Sequence, residues 1–418
     1  MTSTLTWVDY DSEARDRSLR ILALFEQKES RDELGLGGVR DSFADKLFPG
    51  TSTIQTRLRY MLFIPWIYKS LERRRISSKE FSERAAHSEL SLVKPLLQSG
   101  DAAGVFGKVA GSSLRRLPSS VYWAGLGSWG IRVCDTSQDQ FHSQIDDVYR
   151  RRSLQSARSR DSSLSGDPPN TTPDPGTMTW NLDLPNPPAD FPDGVHFELT
   201  RDEALFIRDR ITLSHTESLL SWLALEGRPT DISAPWRHPN FGSMSDRHKD
   251  ILEHARRFSA MMHGASLLYN VLLARLSKSQ EIEDRHSEAF EKWCQEITEI
   301  ALGEWSLESL WELTVDDEHR ITWATRSFVE SWISLAKSDR YGILGSDRAS
   351  ELIRGRETSL KKTQSRFSNR DALQQWGGGS GLGRLNYRWQ TARGVVHEGT
   401  MLGFGSADTA YRYSAVPC

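Results

Sequence analysis

The sequence predicts a mainly α-helical protein: an N-terminal helical domain with a winged-helix-like module, a mobile linker, and a C-terminal helical bundle. Three observations predict this. Ser/Thr-x-x-Glu helix starts recur, apolar residues return at three-to-four spacing over long stretches, and strand signals are scarce.

The helix starts fall at Ser30-x-x-Glu33, Ser77-x-x-Glu80, Thr200-x-x-Glu203 and Ser214-x-x-Glu217. In each, a hydroxyl can accept from the amide three residues on, while the acid reaches back. Over 244–278 the residues Ile251, Ala255, Phe258, Met262, Leu268 and Leu272 form one apolar stripe, with similar stripes over 287–303 and 320–337. The best strand candidate is Val195–Leu199, set between Gly194 and the Thr200 cap. The interval 153–194 is rich in Ser, Pro, Asp and Gly and loses apolar periodicity, so it reads as a linker between domains 1–152 and 195–418.

Bulk properties narrow the class. With 418 residues, 38% hydrophobic content and 14 Trp, the chain can bury two or three cores, which excludes a disordered or fibrous protein. Met1 to Trp7 lacks a basic stretch followed by an apolar one, so no secretory signal is read there and the cytoplasm is expected. The most apolar run, Met61 to Tyr68, is far short of the roughly 20 residues that span a bilayer, and is expected to be a core helix. No membrane association is expected. Cys134, Cys294 and Cys418 are too few and too scattered for a disulfide framework or zinc ribbon.

A net charge of −3 conceals strong segmentation. Residues 46–75 carry seven basic side chains and one acid, 103–134 carry four and none, and 348–393 carry ten and three. Residues 281–320 hold thirteen acids against three basic residues. That acidic block could mimic nucleic acid or dock a basic partner; a solvated helix face is the plainer reading. Trp293, Trp305, Trp311, Trp323 and Trp332 are expected to form its buried side.

Three stretches are candidate nucleic-acid contacts. In the first, the Pro49-Gly50 turn and three potential hydroxyl caps predict a helix whose first two turns carry Gln55, Thr56, Arg57 and Arg59. Exposed amides at such an end suit phosphate, and helix-turn-helix proteins read bases there. Solvated or ion-paired arginines are the alternative. In the second, Arg115 and Arg116 precede a Pro118-Ser119-Ser120 helix start, with Tyr122, Trp123 and Trp129 behind. The pair could grip phosphates in a winged-helix-like module or simply rim an aromatic core. In the third, Lys361, Lys362 and Arg366 precede a Gly-rich segment at 377–383 followed by Arg384 and Arg388. Glycine loops can cradle phosphate, and basic residues interleaved with Tyr387 and Trp389 suit single strands. The pattern matches no phosphate-loop fingerprint, and a flexible loop between helices explains it as well.

Enzyme signatures are missing. H-E-x-x-H and C-x-x-C do not occur. Asp193 and Glu198 come nearest to a nuclease metal layout, but Thr200 stands where a lysine is needed and reads as a cap. His254 and His263 are nine residues apart on one helix, too far to share a metal. No catalytic residue, metal or cofactor is expected.

The runs Arg31-Asp32-Glu33-Leu34-Gly35, Arg40 to Asp45, Leu47 to Thr53, Leu117 to Ser120 with Trp129-Gly130-Ile131, and Leu385 to Trp389 carry a resemblance. The chain resembles an uncharacterised prokaryotic family of unknown function. The resemblance implies no activity and transfers no functional residue; it implies only an association with mobile or defence-type gene clusters. The expected function is a non-enzymatic nucleic-acid-binding (DNA) or adaptor subunit of a multi-protein complex. Its expected contacts are Gln55, Arg57, Arg59, Arg115, Arg116, Lys361, Lys362, Arg366, Arg384 and Arg388. The competing readings are a helical scaffold binding only protein, and a divergent metal-dependent nuclease.

Overall fold

A computed structural model describes residues 32–108, 114, 116–165, 175–226, 228–300, 305–316 and 318–400. The helices are α1 (Gly37–Leu47), α2 (Tyr60–Arg73), α3 (Ser78–Ser91), α4 (Val93–Gln98), α5 (Pro118–Ser128), α6 (Gln138–Ser165), α7 (Arg201–Ser214) and α8 (Leu219–Glu226). They continue with α9 (Asp246–Ser277), α10 (Gln280–Thr298), α11 (Leu307–Thr314), α12 (Trp323–Asp339), α13 (Asp347–Lys361), α14 (Arg370–Gln374) and α15 (Trp389–Thr400). The mainly α class is as the sequence predicts. Among the described residues no helix is long and apolar enough to cross a membrane.

The chain divides into two compact units, one of residues 1–43 and 250–385, the other of 44–249 and 386–418. In the second unit α2 is the centre. Its residues Tyr60 to Tyr68 are buried, as the apolar run predicts, and it packs on α3 and α5, while α3 packs on α6 and α15 on α7 and α8. Phe141 stacks among Tyr68, Phe81, Trp123 and Trp180 with ring centroids 5.3–5.9 Å apart. Tilted and edge-on aromatic packing of this kind adds to the burial of the rings.

The unit of residues 1–43 and 250–385 is built on α9, whose apolar stripe lies where the spacing placed it. Trp293 of α10 and Trp332 of α12 donate their indole N–H groups to the α9 carbonyls of Ala260 and Met261, both at 2.8 Å. A Cβ at Gly264 would sit 2.3 Å from the Trp293 ring, so glycine lets α10 approach α9.

Several expectations are corrected. The described flanks of the 153–194 interval are not a spacer, because α6 runs through to Ser165 and Trp180 and Leu184 are buried. Thr179 and Trp180 donate to the buried Glu72 carboxylate at 2.9 and 2.7 Å, and Trp66 donates to the Pro185 carbonyl at 2.7 Å. Residues 166–174 lie outside the described residues. Val195, Phe197 and Leu199 do alternate buried with exposed His196 and Glu198, yet among the described residues no strand pairs with them. Among the described residues the only β pairing is the bridge between Arg132 and Trp180, so no described hairpin stands as a wing beside α5. Thr200 forms the full capping box with Glu203. Ser77 caps α3 by position without a side-chain bond, Ser214 ends α7 rather than opening a helix, and Ser30 lies outside the described residues.

Candidate functional site

The first basic stretch does not open a helix at Thr51; α2 begins only at Tyr60. Local and tertiary bonds hold 51–59 as a compact turn. Gln55 donates to the Gly50 carbonyl at 3.2 Å and accepts from the Ser52 amide at 3.1 Å. The Tyr122 hydroxyl receives the Thr56 and Arg57 amides at 2.8 and 3.0 Å. Gly50, at φ +74°, leaves no room for a Cβ, which would meet the Trp129 indole nitrogen at 2.3 Å.

Both arginines of this turn are engaged within the chain. Arg57 bonds Asp101 at 2.5 Å and Glu398 at 2.9 Å, and lies over the Phe197 ring at 4.3 Å. Its hydrogen bond lowers the Asp101 pKa, whereas burial raises that of Glu398 despite the same partner. Arg59 is 1% exposed and donates to Glu203 at 2.8 Å and to the His196 carbonyl at 2.8 Å. In this conformation its guanidinium faces protein, not solvent.

In the second stretch Tyr122, Trp123 and Trp129 are core, and Arg116 is exposed with no ion pair among the described residues. Arg115 lies outside the described residues. Arg132 lies over the Trp123 ring at 5.1 Å.

The third stretch is likewise tied in. Lys361 and Arg366 both bond Glu33, the latter at 2.7 Å, and Arg366 also donates to the Tyr269 hydroxyl at 2.7 Å. Tyr269 is placed between Glu33 and Glu357, at 3.3 and 3.4 Å. Burial first, then the Glu33 charge, drives its pKa far above the usual phenol range. Burial pulls the Arg366 pKa down, but the hydrogen bonds and charges of Glu33 and Tyr269 together raise it. Lys362 is exposed. Arg384 pairs with Glu296 through two bonds of 2.5 Å. Arg388 pairs with Asp45 and donates to the Thr51 carbonyl at 2.9 Å.

The glycine segment is clamped rather than loose. Asn270 bonds both backbone groups of Ser380, and His286 bonds the Gly378 carbonyl at 2.7 Å. The Ser380 amide is thereby taken by a side chain of the same chain.

An open concavity lies in the acidic segment. Glu308, Trp311, Glu312 and Val315 of α11 and its C-cap face Arg326 and Glu330 of α12 around about 570 Å³. Positions i, i+3, i+4 and i+7 share one helix face, so that stripe is the sequence signal that composition alone obscures. Trp311 forms the floor, its N–H donated to Glu330 at 2.7 Å and its ring under Arg326 at 5.6 Å. Glu308 and Glu312 are exposed and form no ion pair among the described residues. Trp293, Trp305, Trp311 and Trp332 are buried as expected, but Trp323 is 81% exposed.

Among the described residues no group of His, Cys, Asp and Glu could hold a metal ion. Asp193 and Glu198 are both exposed. His254 accepts from the Trp305 indole at 3.0 Å, and burial followed by Arg384 lowers the His263 pKa to about 4. Cys134 and Cys294 are free thiols, and burial raises Cys294 to about 11.

No curated protein and no solved structure matches the chain. One family model matches residues 2–402, nearly the whole sequence, and the chain therefore belongs to DUF6361, a family of unknown function.

Proposed function

We propose that this chain is a non-enzymatic helical interaction module, an adaptor or scaffold subunit that binds protein within a larger complex. The supporting observation is the fate of the basic residues. Arg57, Arg59, Lys361, Arg366, Arg384 and Arg388 each bond a carboxylate of their own chain, while Glu308 and Glu312 stay open to solvent. A cation already paired and partly desolvated gains little from a phosphate, because the exchange swaps one anion for another. The gene-cluster association that the family resemblance implies would put such a complex in genome defence.

A second reading, nucleic-acid binding, draws on Arg73, Arg74 and Arg116, which are exposed and form no ion pair among the described residues. Anisotropy titrations of labelled single- and double-stranded oligonucleotides against salt separate the two. The interaction reading expects nothing tighter than non-specific affinity, on the order of 10⁻⁴–10⁻⁶ M. Tight binding with a salt slope that falls in R73A/R74A/R116A establishes the nucleic-acid reading instead.

A further inference from the structure

We propose that the concavity between α11 and α12 is a docking pocket for an arginine-bearing segment of a partner protein. The inference rests on the interaction-module reading and names the chemistry of its partner.

The shape comes from two helical stripes. Glu308, Trp311, Glu312 and Val315 occupy consecutive turns of one face, and Trp323, Arg326 and Glu330 follow the same rule on α12. All of these but Trp323 line the open concavity of about 570 Å³, and Trp323 stands one turn before Arg326. Three carboxylates line it against the single guanidinium of Arg326, so the pocket carries an excess of negative charge.

The carboxylates are not equivalent. Glu330 already accepts from Trp311 at 2.7 Å, and Trp311 already lies under Arg326. Glu308 and Glu312 have no such engagement among the described residues and stand one turn apart in the lining. Two carboxylates so placed repel each other, and an incoming cation relieves that repulsion. Val315 is 38% exposed and Trp323 is 81% exposed, leaving apolar surface beside the charge. A phosphate is repelled by such a lining, and an aliphatic segment leaves the glutamates unpaired. A guanidinium satisfies both demands, since its planar fork bonds carboxylates and its face stacks on indole. An arginine flanked by apolar residues therefore fits the lining. Arg326 over Trp311 is the same contact made within the chain.

The test is fluorescence anisotropy of a labelled octapeptide alternating arginine with alanine, titrated with the full chain, beside lysine and glutamate counterparts. The arginine peptide should bind most tightly and the glutamate peptide not at all. E308Q/E312Q should raise Kd about tenfold and W323A about threefold, from loss of exposed ion pairs and a cation–π contact. The charge-matched E281Q/E291Q, on the exposed face of α10, should change Kd by less than about twofold. All these positions are exposed, and circular dichroism verifies the fold of each variant. Equal weakening by both glutamine pairs would reduce the effect to bulk charge and overturn the pocket, as would absence of peptide binding. Those failures leave the interaction reading standing. Tight oligonucleotide binding lost in R73A/R74A/R116A overturns the interaction reading itself.

Discussion

Asn270 replaces a backbone partner for Ser380: its side-chain oxygen accepts the Ser380 amide at 2.8 Å and its nitrogen donates to the Ser380 carbonyl at 2.7 Å. The same oxygen accepts the Trp376 indole at 3.2 Å, so one fully buried side chain fixes both ends of the turn into the glycine segment. Asn270→Ala orphans three polar groups and should cost ~3 kcal/mol or more, since each buried unsatisfied group costs about 1–3 kcal/mol. Urea denaturation reads the loss. Limited proteolysis of the variant should gain a cut within 377–383; resistance equal to the parent would show that the segment does not depend on Asn270.

The Arg59–Glu203 pair should be costly to break from one side. Both side chains are buried, and Glu203 also closes the Thr200 capping box. Arg59→Ala strands a buried carboxylate and should lose about 3–5 kcal/mol. Adding Glu203→Gln should recover part of that loss, giving a coupling energy above about 1 kcal/mol in a double-mutant cycle. Additive losses would show that the two side chains act independently.

Glu89 predicts a pH dependence. Its carboxyl is 2% exposed, with one oxygen accepting the Ser119 amide at 2.8 Å and the other without a hydrogen bond among the described residues. Burial outweighs that bond and raises its pKa from 4.5 to about 7. The folded chain thus keeps a proton that the unfolded chain has released. Its stabilising contribution is complete below pH 4.5 and is lost as pH rises to about 7, by ~3 kcal/mol. Glu89→Gln should flatten this window in thermal melts taken from pH 4 to 8; an unchanged slope would assign the dependence elsewhere.

Gly50→Ala should destabilise by ~2 kcal/mol or more, combining a positive φ with a clash against Trp129. Its effect should appear as a lowered Tm. Should Tm hold, the turn must re-form around the methyl group.

Local signals were legible and distant ones were not. The Thr200 box is complete within four residues, and the α9 stripe needs only its own periodicity, so both follow from sequence. The alternation at Val195–Leu199 is real as burial, but a strand requires a neighbour that spacing cannot supply. Arg57 and Arg59 looked available because Glu398 and Glu203 lie 341 and 144 positions away. The four buried tryptophans and Trp323 share one chemistry; Trp323 differs in preceding the buried face of α12, whose core begins at Thr325. The pocket was hidden inside a charge count, since a sum over 281–320 does not record that Glu308 and Glu312 flank Trp311 on one face.

The long-range ion pairs also set the order in which the chain can mature on the ribosome. Glu33 waits 328 residues for Lys361, and Arg57 waits 341 for Glu398. At about 5–20 residues per second, that is on the order of 20–70 s during which Glu33 lacks Lys361 and Arg57 has only its nearer carboxylate, Asp101. Each compact unit joins an early segment to a late one, so neither closes until synthesis is nearly finished. Nascent chains released before residue 361 would carry Glu33 without Lys361 in one unit and Arg57 without Glu398 in the other, and would be the species a chaperone meets.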